Sequence, residues 1–266
     1  MKLNLDTDRM IAEVDSGIGW VTFNNPARLN ALSMDMVQAI PAIFEAFTAN
    51  EQVRVVVLRG AGGRAFVSGA DISEFEEKRA SDTARALYDE RAQQAARAMY
   101  AWEKPMVAMI DGYCIGGGLM MALRADIRIA ARGSQFAIPA ARLGLGYGFA
   151  GVTALVNLVG PAAANDILFT ARRLDSEEAL RIGLVNRVVP AADLPAEVDS
   201  LAAHIAENAP LTIQAAKFAI REAMKDPSDR DMGAVAAWVE RCFQSEDYVE
   251  GRRAFMEKRR PRFTGG

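Results

Sequence analysis

The chain has 266 residues, of which 51% are hydrophobic and 24% charged, and its formal net charge is −3. This length and composition fit a globular protein with a substantial core. The slight negative charge argues against a general affinity for nucleic acid, so we expect no nucleic-acid partner. RNA binding through the basic tail Glu257–Phe263 stays a minor alternative.

No stretch offers about 18 uninterrupted apolar residues, so we expect no membrane span. The N-terminus has no basic segment followed by an apolar one, so we also expect no signal peptide. Cys114 and Cys242 lie far apart and match no metal or redox spacing. These features together predict a cytoplasmic protein without a metal site.

Strands and helices are predicted to alternate along the first half of the chain. Hydrophobic periodicity and turn residues predict strands at Ile18–Phe23, Val53–Leu58, Met106–Ile110 and Asp126–Ala131, and helices from Ser33, as N-cap, to Phe47 and from Asp82 to Trp102. Glycine turns separate several of these segments. The repeat of strand, glycine turn and helix predicts an α/β architecture.

The pattern changes after residue 195. Three helical stretches follow, at Ala196–Asn208, Pro210–Lys225 and Met232–Glu257. We therefore predict a core over residues 1–195 and a C-terminal helical region over residues 196–266.

Three glycines, Gly116 to Gly118, stand directly before an apolar, helix-forming run. A glycine turn at a helix start presents unpaired N–H groups and lets a ligand approach the backbone. Tight strand–helix packing would also explain these glycines. A second such turn, Ala65–Ile72, lies earlier in the chain. One amide from each turn could form an oxyanion hole, in which a donor is worth about 3 kcal/mol.

Four segments, in this order, resemble the signatures of the crotonase, or enoyl-CoA hydratase/isomerase, superfamily. They are Asn24–Ser33, Arg64–Ile72, Ile110–Gly118 and Glu250–Phe263. The resemblance covers nearly the whole chain. It implies an α/β spiral of β-β-α units, a C-terminal helical trimerisation region, and a homotrimer or homohexamer. It also implies acyl-CoA thioester substrates, as in fatty acid metabolism, with coenzyme A entering as part of the substrate and no separate cofactor.

The same resemblance assigns site residues. The two oxyanion donors fall on the amides of Ala70 and Gly117, which would hold a thioester carbonyl as it becomes an enolate. Arg64 falls where a basic side chain approaches the CoA phosphates. Phe255 and Lys258 fall where a C-terminal helix, often that of a neighbouring subunit, meets the adenine and phosphate end.

The chain departs from the hydratase pattern at two positions. Hydratases of this family carry two glutamates that position water and shuttle a proton. Met120 and Ala140 stand at the corresponding places here. Because neither side chain can exchange a proton at neutral pH, two-carboxylate chemistry cannot run from these positions.

Tyr147 is the one side chain with an ionisable proton in the segment Leu143–Gly151. It resembles in position a pocket tyrosine of methylmalonyl-CoA decarboxylases. Decarboxylation of a malonyl-type thioester needs no general base and yields the enolate that an oxyanion hole stabilises. The chain departs from those decarboxylases because they have His at the place of Ala70 and keep the carboxylate that is absent at Met120. A structural, hydrogen-bonded Tyr147 is the alternative.

Other reactions stay open. A double-bond isomerase could use a carboxylate relocated to the Glu74–Glu90 helices, whereas Asp71, spaced with Glu74 as a capping box, is better explained as a helix cap. An atypical hydratase and a non-catalytic acyl-CoA-binding relative are further alternatives.

Some patterns are discounted as sites. Gly146–Gly151 matches G-x-G-x-x-G but lacks the preceding strand and the later acidic residue of a dinucleotide site. His204 is expected on a helix surface or at a subunit contact rather than in catalysis. The methionines Met106, Met109, Met120 and Met121 are expected to line the core or an acyl pocket.

Overall fold

The computed structural model describes residues 1–71 and 82–266. Within them, ten strands form a six-stranded sheet of order β1-β2-β3-β5-β7-β10 and a four-stranded sheet of order β4-β6-β8-β9. Neighbouring strands are parallel except in the pairs β1–β2 and β8–β9. The strands are β1 Met10–Asp15, β2 Ile18–Phe23, β3 Val55–Gly60, β4 Ala65–Val67, β5 Met106–Ile110, β6 Tyr113–Ile115, β7 Ile127–Ala131, β8 Gln135–Ala137, β9 Leu174–Asp175 and β10 Arg187–Val189.

Nine α-helices of the described residues surround the sheets. They are α1 Met34–Ala49, α2 Asp82–Ala101, α3 Gly117–Ala122, α4 Phe149–Thr170, α5 Ser176–Arg181, α6 Leu194–Glu207, α7 Pro210–Ala223, α8 Met232–Gln244 and α9 Glu246–Glu257. The four predicted strands and the predicted helices α1 and α2 are confirmed to within two residues. Ser33 does occupy the N-cap position of α1, but its side chain makes no capping hydrogen bond.

From β3 to β8, consecutive strands alternate between the two sheets. The chain passes from β3 to β4, from β5 to β6 and from β7 to β8, each time leaving the large sheet for the small one. This is the predicted spiral of β-β-α units, which the structure confirms. It places the ends of β4 and β6, with the turns that follow them, next to each other, since these strands pair directly.

The central strands are buried on both faces. Val56 and Leu58 of β3 belong to the larger hydrophobic core, whereas Val55 and Val57 face a smaller one on the opposite side of the sheet. This period of two explains why the segment reads as a continuous apolar run rather than an alternating one.

Helix α6 covers that smaller core with Leu194, Val198 and Ala202. It begins two residues before the predicted Ala196, because Pro195 is favoured in the first turn of a helix. The division of the chain at residue 195 stays a prediction.

The predicted single helix Met232–Glu257 is wrong. Ser245 has extended backbone angles, φ −77° and ψ 151°, and separates α8 from α9. Its hydroxyl accepts a hydrogen bond from the amide of Tyr248, and Glu246 and Asp247 fill the first turn of α9. A serine N-cap followed by acidic residues is a helix start signal, and it interrupts a pattern whose apolar periodicity continues across it.

Helix α4 is the one helix of the described residues that is long and apolar enough to cross a membrane. The sequence predicts no such segment, because no stretch of about 18 residues is uninterrupted by polar residues. The backbone of α4 breaks at Gly160, with φ 74° and ψ 167°, directly before Pro161. The helix is therefore two shorter segments, and length and composition alone do not distinguish it from a helix that packs on protein.

Candidate active site

The first glycine turn is held through a short parallel pairing with the segment before α1. The amide of Leu32 donates to the carbonyl of Gly69 over 2.8 Å, and the amide of Asp71 donates to the carbonyl of Leu32, also over 2.8 Å. Ala70 lies between these two bonds. Its own amide donates to no acceptor among the described residues.

In the second turn, the three glycines have three different physical reasons. Gly116 has φ 54° and ψ −115°, a backbone conformation that other residues rarely adopt. Gly117 is the first residue of α3, so its amide is one of the orphan donors of a helix start and donates to no acceptor in the described residues. At Gly118, tight packing leaves no space for a side chain, since a Cβ atom there would lie 2.1 Å from the carbonyl oxygen of Val67. Both explanations offered by the sequence, a ligand site and tight packing, therefore apply, at different glycines.

The fold brings the two turns together. A Cβ atom built on Gly117 would lie 3.7 Å from the amide nitrogen of Ala70 and 3.5 Å from Cδ1 of Leu32. Ala70 and Gly117 lie 47 residues apart in the sequence. The fold brings their two unpaired amides into one small region. Such a pair can stabilise negative charge on a single oxygen placed between them.

Met120 and Ala140 border the same region. Met120 follows Gly117 by three residues on α3, and its Cε would lie 2.8 Å from a Cβ atom built on Gly151. Ala140 is buried in the 3-10 turn Pro139–Leu143, whose proline packs 3.8 Å from the Cβ position of Gly116. The two positions predicted to correspond to the hydratase glutamates thus carry a thioether and a methyl group, and that correspondence stays a prediction.

Tyr147 lies beside Met120. Its ring carbon Cδ1 is 3.5 Å from the Cβ position of Gly151, which Met120 also contacts. Burial raises the pKa of the Tyr147 phenol to about 12. No described residue makes a hydrogen bond with its hydroxyl, so the alternative of a hydrogen-bonded structural tyrosine has no partner in this part of the chain.

Two of the carboxylates considered from the sequence, Asp71 and Glu90, lie in the described part of the chain. Asp71 is 8% exposed and forms an ion pair with Arg28, whose Nη1 lies 3.1 Å and 3.2 Å from the two carboxylate oxygens. The capping role proposed for Asp71 concerns residues 72–81, which lie outside the described part of the chain, as does Glu74. Glu90 is described and lies exposed on α2, where it accepts a hydrogen bond from Gln94.

The predicted coenzyme A contacts are spread over the surface. Arg64 is exposed directly before β4. Phe255 is 84% exposed on α9, and Lys258 caps that helix with φ 51°. Within the described residues no hydrogen bond or ion pair joins Phe255 or Lys258 to Ala70 or Gly117. Their roles stay predictions.

The structure gives no site role to the patterns that the sequence discounts. Nδ1 of His204 lies 2.8 Å from the carbonyl of Ser200 on the exposed side of α6. The segment Gly146–Gly151 follows a 3-10 turn rather than a strand and enters α4. No group of three or more potential metal ligands occurs among the residues that the structure describes.

Sequence reasoning missed Arg28 and Leu32 as parts of the site. Both lie in the segment Asn24–Ser33, which was quoted only for its resemblance. Their partners Asp71 and Gly69 lie about 40 residues away, and the spacing of residues gives no signal for such a long-range pairing.

Comparisons with known proteins show the family to which the chain belongs. Residues 13–266 match the profile of the family described as enoyl-CoA hydratase/isomerase. The chain is 34% identical over 256 residues to the short-chain-enoyl-CoA hydratase of Clostridium acetobutylicum, covering 96% of this chain and 97% of that protein. It is equally identical, at 34% over 256 residues, to the crotonyl-CoA hydratase of Syntrophomonas wolfei, with coverage of 96% and 98%.

Solved structures give the same result. An enoyl-CoA hydratase/isomerase family protein from Hyphomonas neptunium superposes with a TM-score of 0.92 at 35% identity, covering 97% of this chain and 98% of that one. The match extends over both sheets and the C-terminal helices. This chain therefore belongs to the enoyl-CoA hydratase/isomerase family, the crotonase superfamily, whose members process acyl-CoA thioesters.

Proposed function

We propose that the amides of Ala70 and Gly117 form an oxyanion hole that stabilises the enolate of an acyl-CoA thioester. The supporting observation is that the Ala70 nitrogen lies 3.7 Å from the Cβ position of Gly117, with both amides unpaired among the described residues. Donors fixed in advance by the fold need little reorganisation when charge develops, which is why a donor of this kind is worth about 3 kcal/mol.

The reaction that best fits the side chains is decarboxylation of a malonyl-type thioester. The bond between the α-carbon and the carboxylate breaks, CO2 leaves, and the electron pair passes through the α-carbon to the thioester oxygen. The two amides hold that oxygen as an enolate. No base is needed to start this step, so Met120 and Ala140 do not impede it.

Tyr147 is the proton donor in this proposal. As the enolate collapses, the phenol gives its proton to the α-carbon, and the phenolate takes a proton from water afterwards. A phenol with a pKa of about 12 is fully protonated at neutral pH and is therefore ready to donate. Met120 beside it carries no group that could activate a water molecule, which disfavours hydration.

Hydration is the second candidate. It is favoured by the curated relatives, two of which are named short-chain-enoyl-CoA hydratase and crotonyl-CoA hydratase. In this chain the water would need a base other than residues 120 and 140, supplied by a relocated carboxylate such as one from the Glu74–Glu90 stretch. The same stretch would serve a double-bond isomerase. A non-catalytic acyl-CoA binder is disfavoured because the relatives are named as enzymes.

Product analysis by mass spectrometry tests these candidates. The purified chain is incubated with enoyl-, malonyl- and methylmalonyl-CoA thioesters. Loss of CO2 supports the proposed decarboxylation, gain of water supports hydration, and rearrangement without a change of mass supports isomerisation. Binding of every thioester without turnover would contradict the enzyme proposal, and absence of binding would contradict the acyl-CoA site altogether.

A homotrimer or homohexamer in the cytoplasm is also proposed. The C-terminal helices expose large apolar side chains, among them Phe243, Val249, Phe255 and Met256. Covering these side chains with a second copy would remove apolar surface from water. Light scattering of the purified protein measures the mass; a monomer over the micromolar range would contradict this part of the proposal.

A further inference from the structure

The position of the Ala70 amide depends on the segment that precedes α1. Three backbone hydrogen bonds join this segment to the turn that carries Ala70. The amide of Ser68 donates to the carbonyl of Leu29 over 3.1 Å, the amide of Leu32 to the carbonyl of Gly69, and the amide of Asp71 to the carbonyl of Leu32. Ala70 follows β4 and lies outside both sheets, and it pairs with Leu32 through an isolated bridge.

The bond to the Gly69 carbonyl also sets the direction of the Ala70 amide. In a trans peptide, the carbonyl of one residue and the N–H of the next point in opposite directions. The peptide bonds of the described residues are all trans. Since the Gly69 carbonyl points at the amide of Leu32, the Ala70 N–H points away from that segment.

The segment that precedes α1 is held by its backbone conformation and by the hydrogen bonds of one buried side chain, that of Asn30. Leu29 and Asn30 have φ 52° and 55°, and Asn30 is fully buried. The Asn30 side-chain amide donates to the carbonyls of Ala61 and Ala65 over 2.9 Å and 2.7 Å, and its oxygen accepts from the amide of Asn25. One end of the segment is thereby anchored to the start of β4.

Arg28, two residues before Asn30, supplies a second anchor, which reaches the residue directly after the oxyanion donor. Its guanidinium contacts both carboxylate oxygens of Asp71, the residue that follows Ala70. The carboxylate is buried and the arginine side chain is 57% exposed, so the pair closes over the turn from the solvent side. The Arg28 carbonyl also lies 3.4 Å from the hydroxyl of Ser68.

We infer that Arg28 is a positioning residue, and that its ion pair with Asp71 holds the Ala70 amide in the orientation needed at the thioester oxygen. This inference rests on the proposed oxyanion hole. Arg28 acts through Asp71 and the backbone rather than on the substrate. A small displacement of a donor lowers the rate without weakening binding, because the interaction that is lost forms only as charge develops.

A double-mutant cycle with Arg28→Gln and Asp71→Asn tests the inference. We expect each single variant to lower kcat by about tenfold to a hundredfold, with KM close to that of the wild type. The double variant should be no slower than the slower single variant. Arg28→Lys, which keeps the charge, should recover part of the rate. Arg187→Gln is the matched control, because it breaks an Arg–carboxylate pair, with Glu197 at 2.6 Å, that joins β10 to α6.

Two results would overturn the inference. An increase of KM at unchanged kcat in Arg28→Gln would show that Arg28 binds the substrate directly. Losses in kcat that multiply in the double variant would show that the two residues act independently.

Hydrogen exchange separates this inference from the proposed function. If the wild type converts no thioester, the proposed function fails, and exchange of the peptide Val67–Asp71 then tests the positioning pair alone. We expect faster exchange in Arg28→Gln and Asp71→Asn and wild-type exchange in Arg187→Gln. Exchange that is unchanged in Arg28→Gln would contradict the pair's role, and thermal unfolding of each variant shows whether the whole fold has loosened.

Discussion

The backbone half and the side-chain half of the site are built in opposite ways. On the backbone side, a Cβ atom on Gly118 would lie 2.1 Å from the carbonyl oxygen of Val67, so there is no spare room. On the side-chain side, Cβ atoms on Gly144, Gly146 and Gly148 would meet nothing within 4 Å. The amide donors are set in rigid packing, while the segment that carries Tyr147 is open.

This difference separates the proposed amide donors from the side chains to which the proton chemistry is assigned in the proposal. An oxyanion hole made of main-chain amides depends on packing and hydrogen bonds, here together with the Arg28–Asp71 ion pair, rather than on the acid–base chemistry of one side chain. The proton chemistry depends on single side chains, here Met120, Ala140 and Tyr147. A change of reaction can therefore occur at these positions without loss of the enolate-stabilising half.

The largest expected effect is a loss of stability when the packing of the backbone half of the site is disturbed. Gly118→Ala should lower the free energy of unfolding by more than about 3 kcal/mol, because the obstacle is a backbone oxygen that cannot move aside. Gly146→Ala, the control in open space, should change it by less than about 0.5 kcal/mol. Denaturant unfolding measures both. Equal values for the two variants would remove the contrast between the halves.

The next effect is on the oxyanion donor. Ala70→Pro removes one N–H and should lower kcat by about a hundredfold to a thousandfold, with acyl-CoA binding retained. Ala70→Gly keeps the amide and is the control, so it should remain much faster. Steady-state kinetics and calorimetric binding measure the two quantities. Wild-type turnover in Ala70→Pro would exclude this amide from the reaction.

A smaller effect is expected at Tyr147. Tyr147→Phe removes the proposed proton donor and should slow turnover by about a hundredfold, while water can still protonate the enolate. Binding should be unaffected because the ring is kept. An unchanged rate, followed by single-turnover kinetics, would return Tyr147 to a purely structural role.

The smallest effect concerns pH. An ordinary tyrosine has lost half of its protons at about pH 10, whereas burial raises the pKa of Tyr147 to about 12. Turnover should therefore stay level on the alkaline side up to about pH 10. The same shift contributes stability that is present below about pH 10 and is lost as pH rises towards 12. A rate that falls between pH 8 and 9, in a pH–rate profile, would point to a different proton donor.

The sequence predicts the strands with strong local signals and misses those without. The run Val53–Leu58 is apolar and β-branched over its whole length, and it forms β3. Strands β6 and β8 have three residues each, too few for a hydrophobic pattern, and they exist because the spiral pairs them with neighbours. The end of α8 at Ser245 was missed because apolar periodicity outweighed a capping signal.

The site divides in the same way. The two glycine turns that carry Ala70 and Gly117 could be predicted because such turns and the order of motifs are local features, while the roles of the two amides stay predictions. The contact between Met120 and Gly151 could not, since it joins helices that begin 32 residues apart. The Arg28–Asp71 pair spans 43 residues and depends on the fold alone.

The most direct measurement is a crystal structure of the chain with an unreactive acyl-CoA ketone analogue, in which a methylene group replaces the thioester sulfur. The account predicts that the analogue's carbonyl oxygen lies about 2.7 to 3.1 Å from the amide nitrogens of both Ala70 and Gly117. A carbonyl oxygen that contacts neither amide, or that lies at another part of the surface, would contradict it.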